Sequence, residues 1–172
     1  MGPLVVLVGA PGAGKSTVAA LVATALGATH LDTDTMVETQ TGSSISDIFI
    51  SHGETEFRKL ERDAVAQALQ TSDTVVSLGG GAVIDPHTRA ALQQHPVVWL
   101  QVSLSDAASR AGMNQARPLL LGNVRATLAR LLDERTPWYE EVCDVAIDTS
   151  SMDADEVAAR ITEWLRRDAV AS

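Results

Sequence analysis

The chain has 172 residues with 22 acidic and 13 basic side chains, a net charge of −9, and a sequence pI near 4.7. That balance excludes a general nucleic-acid or membrane-surface binder, because both partners present anionic surfaces. A composition 45% apolar but only 3% aromatic excludes a disordered chain and predicts one domain over residues 1–172 with an aliphatic core.

Five short β-branched runs alternate with helical patterns. The expected strands are Leu4–Val8, His30–Asp32, Thr74–Leu78, Val97–Val102 and Val145–Asp148. The first lacks period-2 alternation, as expected of a strand covered on both faces. Between the strands, Glu54 to Leu69 reads as a helix with Phe57, Leu60, Ala64, Val65, Ala68 and Leu69 inward. Asp85 and Pro86 supply an N-cap and a first helical residue. Ser105 is the expected cap of a helix over Asp106–Ala111. Asp153 and Glu156 make an acidic first turn for the last helix, whose Val157, Ile161, Trp164 and Leu165 form one apolar stripe. Strands separated by helices imply right-handed crossovers, hence a parallel sheet in a three-layer α/β domain with ligands at the strand carboxyl ends. Cys143 is the one cysteine; it cannot form an internal disulfide and is read as a packing residue. The first apolar run is far too short to span a bilayer, which takes about 20 residues, and no basic segment precedes it. The expectation is a cytoplasmic protein. His30, His52, His87 and His95 lack metal-ligand spacing and are read as structural or solvated.

Gly9-Ala10-Pro11-Gly12-Ala13-Gly14-Lys15-Ser16 fits the P-loop pattern between a strand and a helix. Its glycines let backbone N–H groups turn around phosphates, and the helix N-terminus adds its dipole. Lys15 places positive charge on the β- and γ-phosphates, and Ser16 can coordinate Mg²⁺. Asp32-Thr33-Asp34 closes the second strand. On extended backbone two residues apart, its carboxylates share one face, where one can hold Mg²⁺ and the other can accept a substrate proton. The competing reading is a helix N-cap, with Asp34 capping Thr35–Thr41. Gly79-Gly80-Gly81 after the third strand allows a small ligand to lie against the chain, or is a flexible turn. Arg58, with Glu54 and Glu61 a turn away on either side, is either a ligand-binding cation or a surface ion-pair partner.

These residues together resemble the shikimate kinase family of nucleoside-monophosphate-kinase-like P-loop enzymes. The matching blocks are Gly9–Thr17, Asp32-Thr33-Asp34, Gly53-Glu54 through Phe57-Arg58 to Glu61, Ser77 through Gly81, Gly112 through Arg117-Pro118-Leu119-Leu120, and Arg135 followed by Tyr139. The resemblance implies a three-layer P-loop kinase fold with a five-stranded parallel sheet flanked by helices. It also implies transfer of the γ-phosphoryl group of ATP to the 3-hydroxyl of shikimate, in chorismate and aromatic amino acid synthesis. Gly12, Ala13, Gly14, Lys15, Ser16, Thr17, Arg110 and Arg117 would bind ATP, with Mg²⁺ as cofactor held by Ser16 and Asp32. Asp34 would hold the acceptor hydroxyl and take its proton. Arg58 and Arg135 would grip the shikimate carboxylate, as a guanidinium fork suits a carboxylate. Gly79, Gly80 and Gly81 would meet the ring hydroxyls, and Ile45, Phe49, Phe57 and Glu61 would wall the pocket. A shikimate-binding region at about 33–61 and a lid at about 110–123 follow, with Arg117 reaching the transferring group and catalysis shared by Lys15, Asp34 and Arg117. The implied partners are ATP and shikimate, with no nucleic acid or membrane, for a monomer. After the last strand, where relatives often carry an arginine and a proline beside the adenine, this chain has Thr149-Ser150-Ser151-Met152-Asp153. Backbone contacts or Arg110 then carry more of the nucleotide site. A kinase for another hydroxy acid such as gluconate, and a non-catalytic nucleotide-binding regulator, are the alternatives. The intact Lys15, Asp34 and Arg117 argue against the regulator.

Overall fold

A computed structural model of the chain describes residues 1–113 and 123–171. In chain order its elements are β1 (Val5–Val8), α1 (Lys15–Leu26), β2 (Thr29–Asp32), α2 (Thr33–Thr41), α3 (Ile45–Leu69), β3 (Thr74–Ser77), a short 3₁₀ turn (Ala82–Ile84), α4 (Pro86–Leu92), β4 (Val97–Gln101), α5 (Leu104–Met113), α6 (Val124–Val142), β5 (Val145–Asp148) and α7 (Ala154–Ala171). All five expected strands are present, each within a residue of its predicted limits. They form one sheet in the order β2-β3-β1-β4-β5, and every pairing is parallel.

The continuous apolar runs divide between two cores because successive side chains on a strand point to opposite faces. Val5 and Leu7 of β1, Val75 of β3, and Val98 and Leu100 of β4 pack under α1 and α7. Val6 and Val8, Val76, and Val97 and Trp99 pack under residues of α3, α4 and α6. The predicted stripe of α7 is therefore real: Val157 and Ile161 are buried, and Trp164 and Leu165 pack at the edge of the first core. Cys143 packs at the edge of the second core, and burial pushes its thiol up. This agrees with a packing role rather than a reactive one.

Several helix ends differ from expectation. The cap of α5 is Ser103, whose hydroxyl accepts from the Asp106 N–H at 3.1 Å, so the helix begins earlier than a Ser105 cap would allow. The helix expected from Glu54 extends back to Ile45, capped by Ser44, and Gly53 breaks its regularity with φ 81° and ψ 172°. The segment before the kink carries its own apolar residues. Ile48 joins Val37, Phe57 and Ala64 in a small separate core, with Ile45 and Phe49 at its margin. The Asp85 cap is as predicted, accepting from the His87 and Thr88 N–H groups. Asp153 and Glu156, expected only as an acidic first turn, bond reciprocally through side chain and backbone and form a capping box.

The connections from β1 and β3 leave in opposite directions. The chain passes from β1 through α1 toward β2, and from β3 through α4 across β1 to β4. Adjacent strands whose connections diverge open a crevice at their carboxyl ends, where open α/β sheets bind ligands. The P-loop follows β1 and the three glycines follow β3, so both line this crevice. No described helix is long and apolar enough to cross a membrane.

The first core depends on α7, and Ile161 is fully buried in it. Ile161→Ala should lower unfolding stability by about 2–5 kcal/mol, the range for large-to-small core substitutions, as read from a urea denaturation midpoint.

Candidate active site

The P-loop turns sharply from β1 into α1. Gly14, the residue preceding α1, has φ 84°, a left-handed conformation that side-chain-bearing residues rarely adopt. Ala13 is buried in the core, and its N–H closes the loop on the Ala10 carbonyl at 3.1 Å. Lys15 is also buried, and its Nζ lies within the loop, donating to the carbonyls of Gly9 at 2.7 Å and Ala10 at 2.9 Å. Arg110 reaches back from α5 and donates to the Gly12 carbonyl at 3.1 Å. A cleft of about 330 Å³ is lined by P-loop residues including Gly12, Gly14, Lys15, Ser16 and Thr17, and also by Asp32, Asp34, Gly79, Gly80 and Arg110.

Asp32 and Asp34, expected on one face of an extended strand, do not share one. β2 ends at Asp32 and α2 begins at Thr33, so the chain turns helical between the two carboxylates and sends them to different neighbours. Asp32 is itself the cap of α2, its Oδ1 accepting from the Thr35 N–H at 3.0 Å, a role expected of Asp34. Its other oxygen, Oδ2, accepts from Ser16 Oγ at 2.5 Å and Ser77 Oγ at 2.8 Å. Burial alone would raise this carboxyl, but hydrogen bonds from Ser16, Thr35 and Ser77 outweigh it and hold Asp32 below the usual carboxylate range. The capping and functional readings thus coincide in one residue. Ser77 has a single proton, given to Asp32, so its oxygen is left to accept from His30 Nε2 at 2.8 Å.

Thr33, to which the sequence pattern assigned no role, links this carboxylate pair to the glycine loop. It is fully buried, and its hydroxyl accepts from the Gly79 N–H at 3.1 Å. Only its place between the two aspartates signalled it. The motif therefore divides its work: Asp32 faces the P-loop serine, Thr33 holds the loop after β3, and Asp34 lies against Gly79.

Each glycine of the triplet lies where a side chain would collide with a particular neighbour. A Cβ at Gly79 would stand 2.7 Å from both Asp34 Oδ1 and Glu61 Oε1. At Gly80 it would stand 2.9 Å from the Pro11 ring of the P-loop, and at Gly81 it would overlap the Arg58 guanidinium. The triplet is a close-approach surface rather than a flexible turn. It touches the phosphate loop on one side and the Asp34–Glu61–Arg58 cluster on the other.

That cluster is held from α3. Arg58 bonds Glu61 at 2.6 Å and Glu54 at 3.2 Å, and its guanidinium sits 5.2 Å from the Phe57 ring centroid. Phe57 in turn packs on Phe49, centroids 4.8 Å apart. The two glutamates expected to flank Arg58 do so, but the pair with Glu61 is not a surface one. Glu61 is 3% exposed. Burial pushes its carboxyl up to about 7, assisted by Asp34 and opposed by Arg58 and Arg135. Arg135 of α6 is likewise 3% exposed. The Nε atoms of Arg58 and Arg135 are buried with no hydrogen-bond partner among the described residues. Buried donors are ordinarily satisfied, and a carboxylate ligand would supply acceptors to both. Tyr139, one turn beyond Arg135, donates to the Gly80 carbonyl at 2.6 Å. Its pairing with Arg135 in the sequence was legible, but its contact was not.

A magnesium ion fits Ser16 and Asp32 on their chemistry. Both offer oxygen donors, the carboxylate is held ionised, and Mg²⁺ commonly takes one or two protein oxygens together with phosphate and water. Among the described residues no cluster of three His, Cys, Asp or Glu forms an all-protein metal cage, so any such ion must draw most of its shell from elsewhere. Arg117 and the remainder of residues 114–122 lie outside the described residues, and with them most of the predicted lid.

The family model for shikimate kinase matches residues 11–166. The chain is 49% identical over 163 residues to the shikimate kinase of Thermobifida fusca (strain YX), covering 95% of each chain. It superposes on the solved structure of shikimate kinase from Acinetobacter baumannii in complex with shikimate with a TM-score of 0.94 and 33% identity, covering 98% of this chain and 94% of the other. A gluconokinase from Sinorhizobium meliloti 1021 shares the fold at a TM-score of 0.58 and 19% identity, over 95% of this chain and 91% of its own.

The raised Glu61 carboxyl has a measurable consequence. An unfolded glutamate loses its proton near 4.5, whereas the folded one keeps it to about 7. The folded state therefore holds the extra proton between these values and loses stability as pH rises through them. Urea midpoints measured from about pH 5 to pH 8 should fall more steeply for the parent protein than for Glu61→Gln, which cannot ionise. Equal slopes would place the titration elsewhere.

Proposed function

The chain belongs to the shikimate kinase family, and on that premise we propose that its crevice transfers the γ-phosphoryl group of ATP to the 3-hydroxyl of shikimate. The observation that carries this reading is the pair of guanidinium groups, half-buried Arg58 and buried Arg135, whose buried Nε donors have no partner among the described residues, with Arg58 against Gly81 of the glycine loop. Buried positive charge with unused donors suits a carboxylate. The glycine loop lies between these arginines and the P-loop, so an acid held there has its hydroxyls near bound phosphates.

In this assignment Arg58 and Arg135 hold the shikimate carboxylate, with Phe49, Phe57, Ile45 and Glu61 around the ring. The backbone of Gly79–Gly81 meets the ring hydroxyls. Asp34 holds the acceptor hydroxyl and takes its proton. The hydroxyl oxygen bonds the γ-phosphorus as the bond to the β–γ bridging oxygen breaks, and ADP leaves. The backbone of Gly12–Thr17 cradles the phosphates, Lys15 supplies positive charge to them, and Arg110 borders the nucleotide. Ser16 and Asp32 would hold Mg²⁺, which when bound neutralises phosphate charge. Arg117 is assigned to the transferring phosphoryl group by the family resemblance. Phosphoryl transfer has a loose transition state, so positioning and charge stabilisation do most of the work.

Glu61 deepens the fit to an acid. A carboxyl that titrates near neutrality yields Arg58 to an incoming carboxylate more readily than a fixed anion would. The substrate's charge then raises Glu61 further.

An ADP-release assay against shikimate, gluconate and no acceptor tests the assignment directly. Turnover should require shikimate; turnover with gluconate alone would overturn it, and so would none with any acceptor. Within that assay Arg117→Ala should lower kcat by about 10³ or more, whereas a change confined to the KM for ATP would make it a ground-state contact. Arg58→Ala should raise the KM for shikimate while sparing that for ATP, because it removes one arm of the carboxylate clamp.

A further inference from the structure

Tyr139 is the only tyrosine in the chain, and phosphoryl transfer as assigned above makes no use of it. It is 1% exposed and stacked on Trp99 of β4, with ring centroids 5.8 Å apart. Its ring is therefore anchored to the sheet, while its hydroxyl leaves the core to reach the Gly80 carbonyl at 2.6 Å. Burial pushes the phenol up to about 12 against the pull of the nearby Arg135, so it remains a donor at neutral pH.

The geometry gives this single bond leverage over two parts of the acceptor site. A trans peptide is planar, with its C=O and N–H pointing in opposite directions, and no peptide in the described chain is cis. Holding the Gly80 oxygen against α6 therefore directs the Gly81 N–H away from α6. Three glycines in a row cannot set that orientation by themselves, because nothing in their side chains restricts it. From the other direction the Pro11 ring crowds Gly80 and leaves no room for a Cβ, and the Ala82 N–H closes the turn on the Gly79 carbonyl at 3.0 Å. The peptide is thus set between the P-loop and the tyrosine.

The second part is Arg135. It lies four residues before Tyr139 on α6, so the two side chains share one helix face. Pro137 between them has no N–H to complete the backbone ladder, so this turn relies more on side-chain anchoring. A neighbouring tie reinforces it. Arg89 donates to the Val83 and Ile84 carbonyls, pairs with Glu141, and lies over the Trp138 ring. These bonds join α6 to the segment after the glycines without touching the glycines themselves.

We propose that Tyr139 is a positioning residue for the acceptor: its hydroxyl fixes the Gly80–Gly81 peptide and sets the separation between that peptide and the Arg135 guanidinium. A substrate gripped at its carboxylate by Arg135 and at its ring hydroxyls by the glycine backbone requires that separation to be constant. This rests on the assignment of Arg135 and Gly79–Gly81 to shikimate. ATP makes no such demand, since its phosphates meet the P-loop.

Steady-state kinetics of the parent protein and of Tyr139→Phe test the role. The phenylalanine keeps the ring and its stacking and removes the hydroxyl, with both its bond to the Gly80 carbonyl and its bond from the Arg135 side chain. Absence of shikimate phosphorylation by the parent would remove the assignment of function and this role with it. With an active parent, Tyr139→Phe should raise the KM for shikimate about tenfold, in the range expected when a buried acceptor loses its donor. The KM for ATP should stay near the parent value, while the thermal midpoint falls by about a few degrees, as expected when a carbonyl loses its donor. Unchanged constants, or an equal rise for both substrates, would overturn the role while leaving the function standing. A second measurement does not depend on the variant folding. Incorporated 3-fluorotyrosine labels position 139 alone, and its fluorine resonance should move when shikimate is added without nucleotide; an unmoved resonance overturns the proposal.

Discussion

The site is organised by the absence of three side chains. Gly79, Gly80 and Gly81 bring bare backbone against Asp34 and Glu61, against Pro11, and against Arg58 in succession. These neighbours come from three elements, the P-loop, α2 and α3, and each approaches closer than any Cβ would permit. The P-loop, the β2–α2 junction and α3 converge because the strand between them ends in nothing bulkier than hydrogen. Thr33 and Tyr139 then hold the loop by its Gly79 N–H and Gly80 carbonyl. A chain with so few side-chain constraints is thereby fixed from outside.

Charge follows the same geometry. The protein is acidic overall, yet Lys15 and Arg110 line the crevice, half-buried Arg58 lies against Gly81, and buried Arg135 acts on Glu61 beside it. Burying cations is costly unless they are paired or hydrogen-bonded. Lys15 meets this demand through the Gly9 and Ala10 carbonyls, and Arg58 through Glu61 and Glu54. The cost appears instead at Glu61, whose carboxyl is pushed to about 7 by its own burial. An acidic surface and a cationic pocket are compatible because the pocket is small and screened from the rest by the sheet and helices.

Local signals were legible where local physics suffices. The five strands announced themselves as short β-branched runs, and the P-loop as glycines and a lysine at set spacing between a strand and a helix. Asp85 is readable as a cap because a cap bonds within three residues of itself, whereas Asp153 and Glu156 read only as acidic residues at the start of the last helix. The misreadings share one cause. The spacing of Asp32 and Asp34 places them on one strand face, but the turn to helix comes between them. Ser103 rather than Ser105 caps α5, and α3 begins nine residues before Glu54. Each depends on where an element starts, and that is decided by what the element packs against rather than by its own residues. Ile48 and Phe49 form a helix before the Gly53 kink because Val37 and Phe57 wait to be covered.

By itself the sequence determined the α/β alternation, the phosphate loop, the family resemblance and the identity of the residues drawn to the crevice, since these rest on composition, spacing and short-range periodicity. Only the tertiary structure decided how those residues divide their work. Asp32 turns to Ser16 and Ser77 while Asp34 turns to Gly79, Thr33 becomes a tie, Glu61 is buried far enough to titrate near neutrality, and Tyr139 reaches from α6 to the Gly80 carbonyl. These are contacts between residues up to 59 positions apart, created by strand order and helix packing, and no local pattern encodes a partner at that distance.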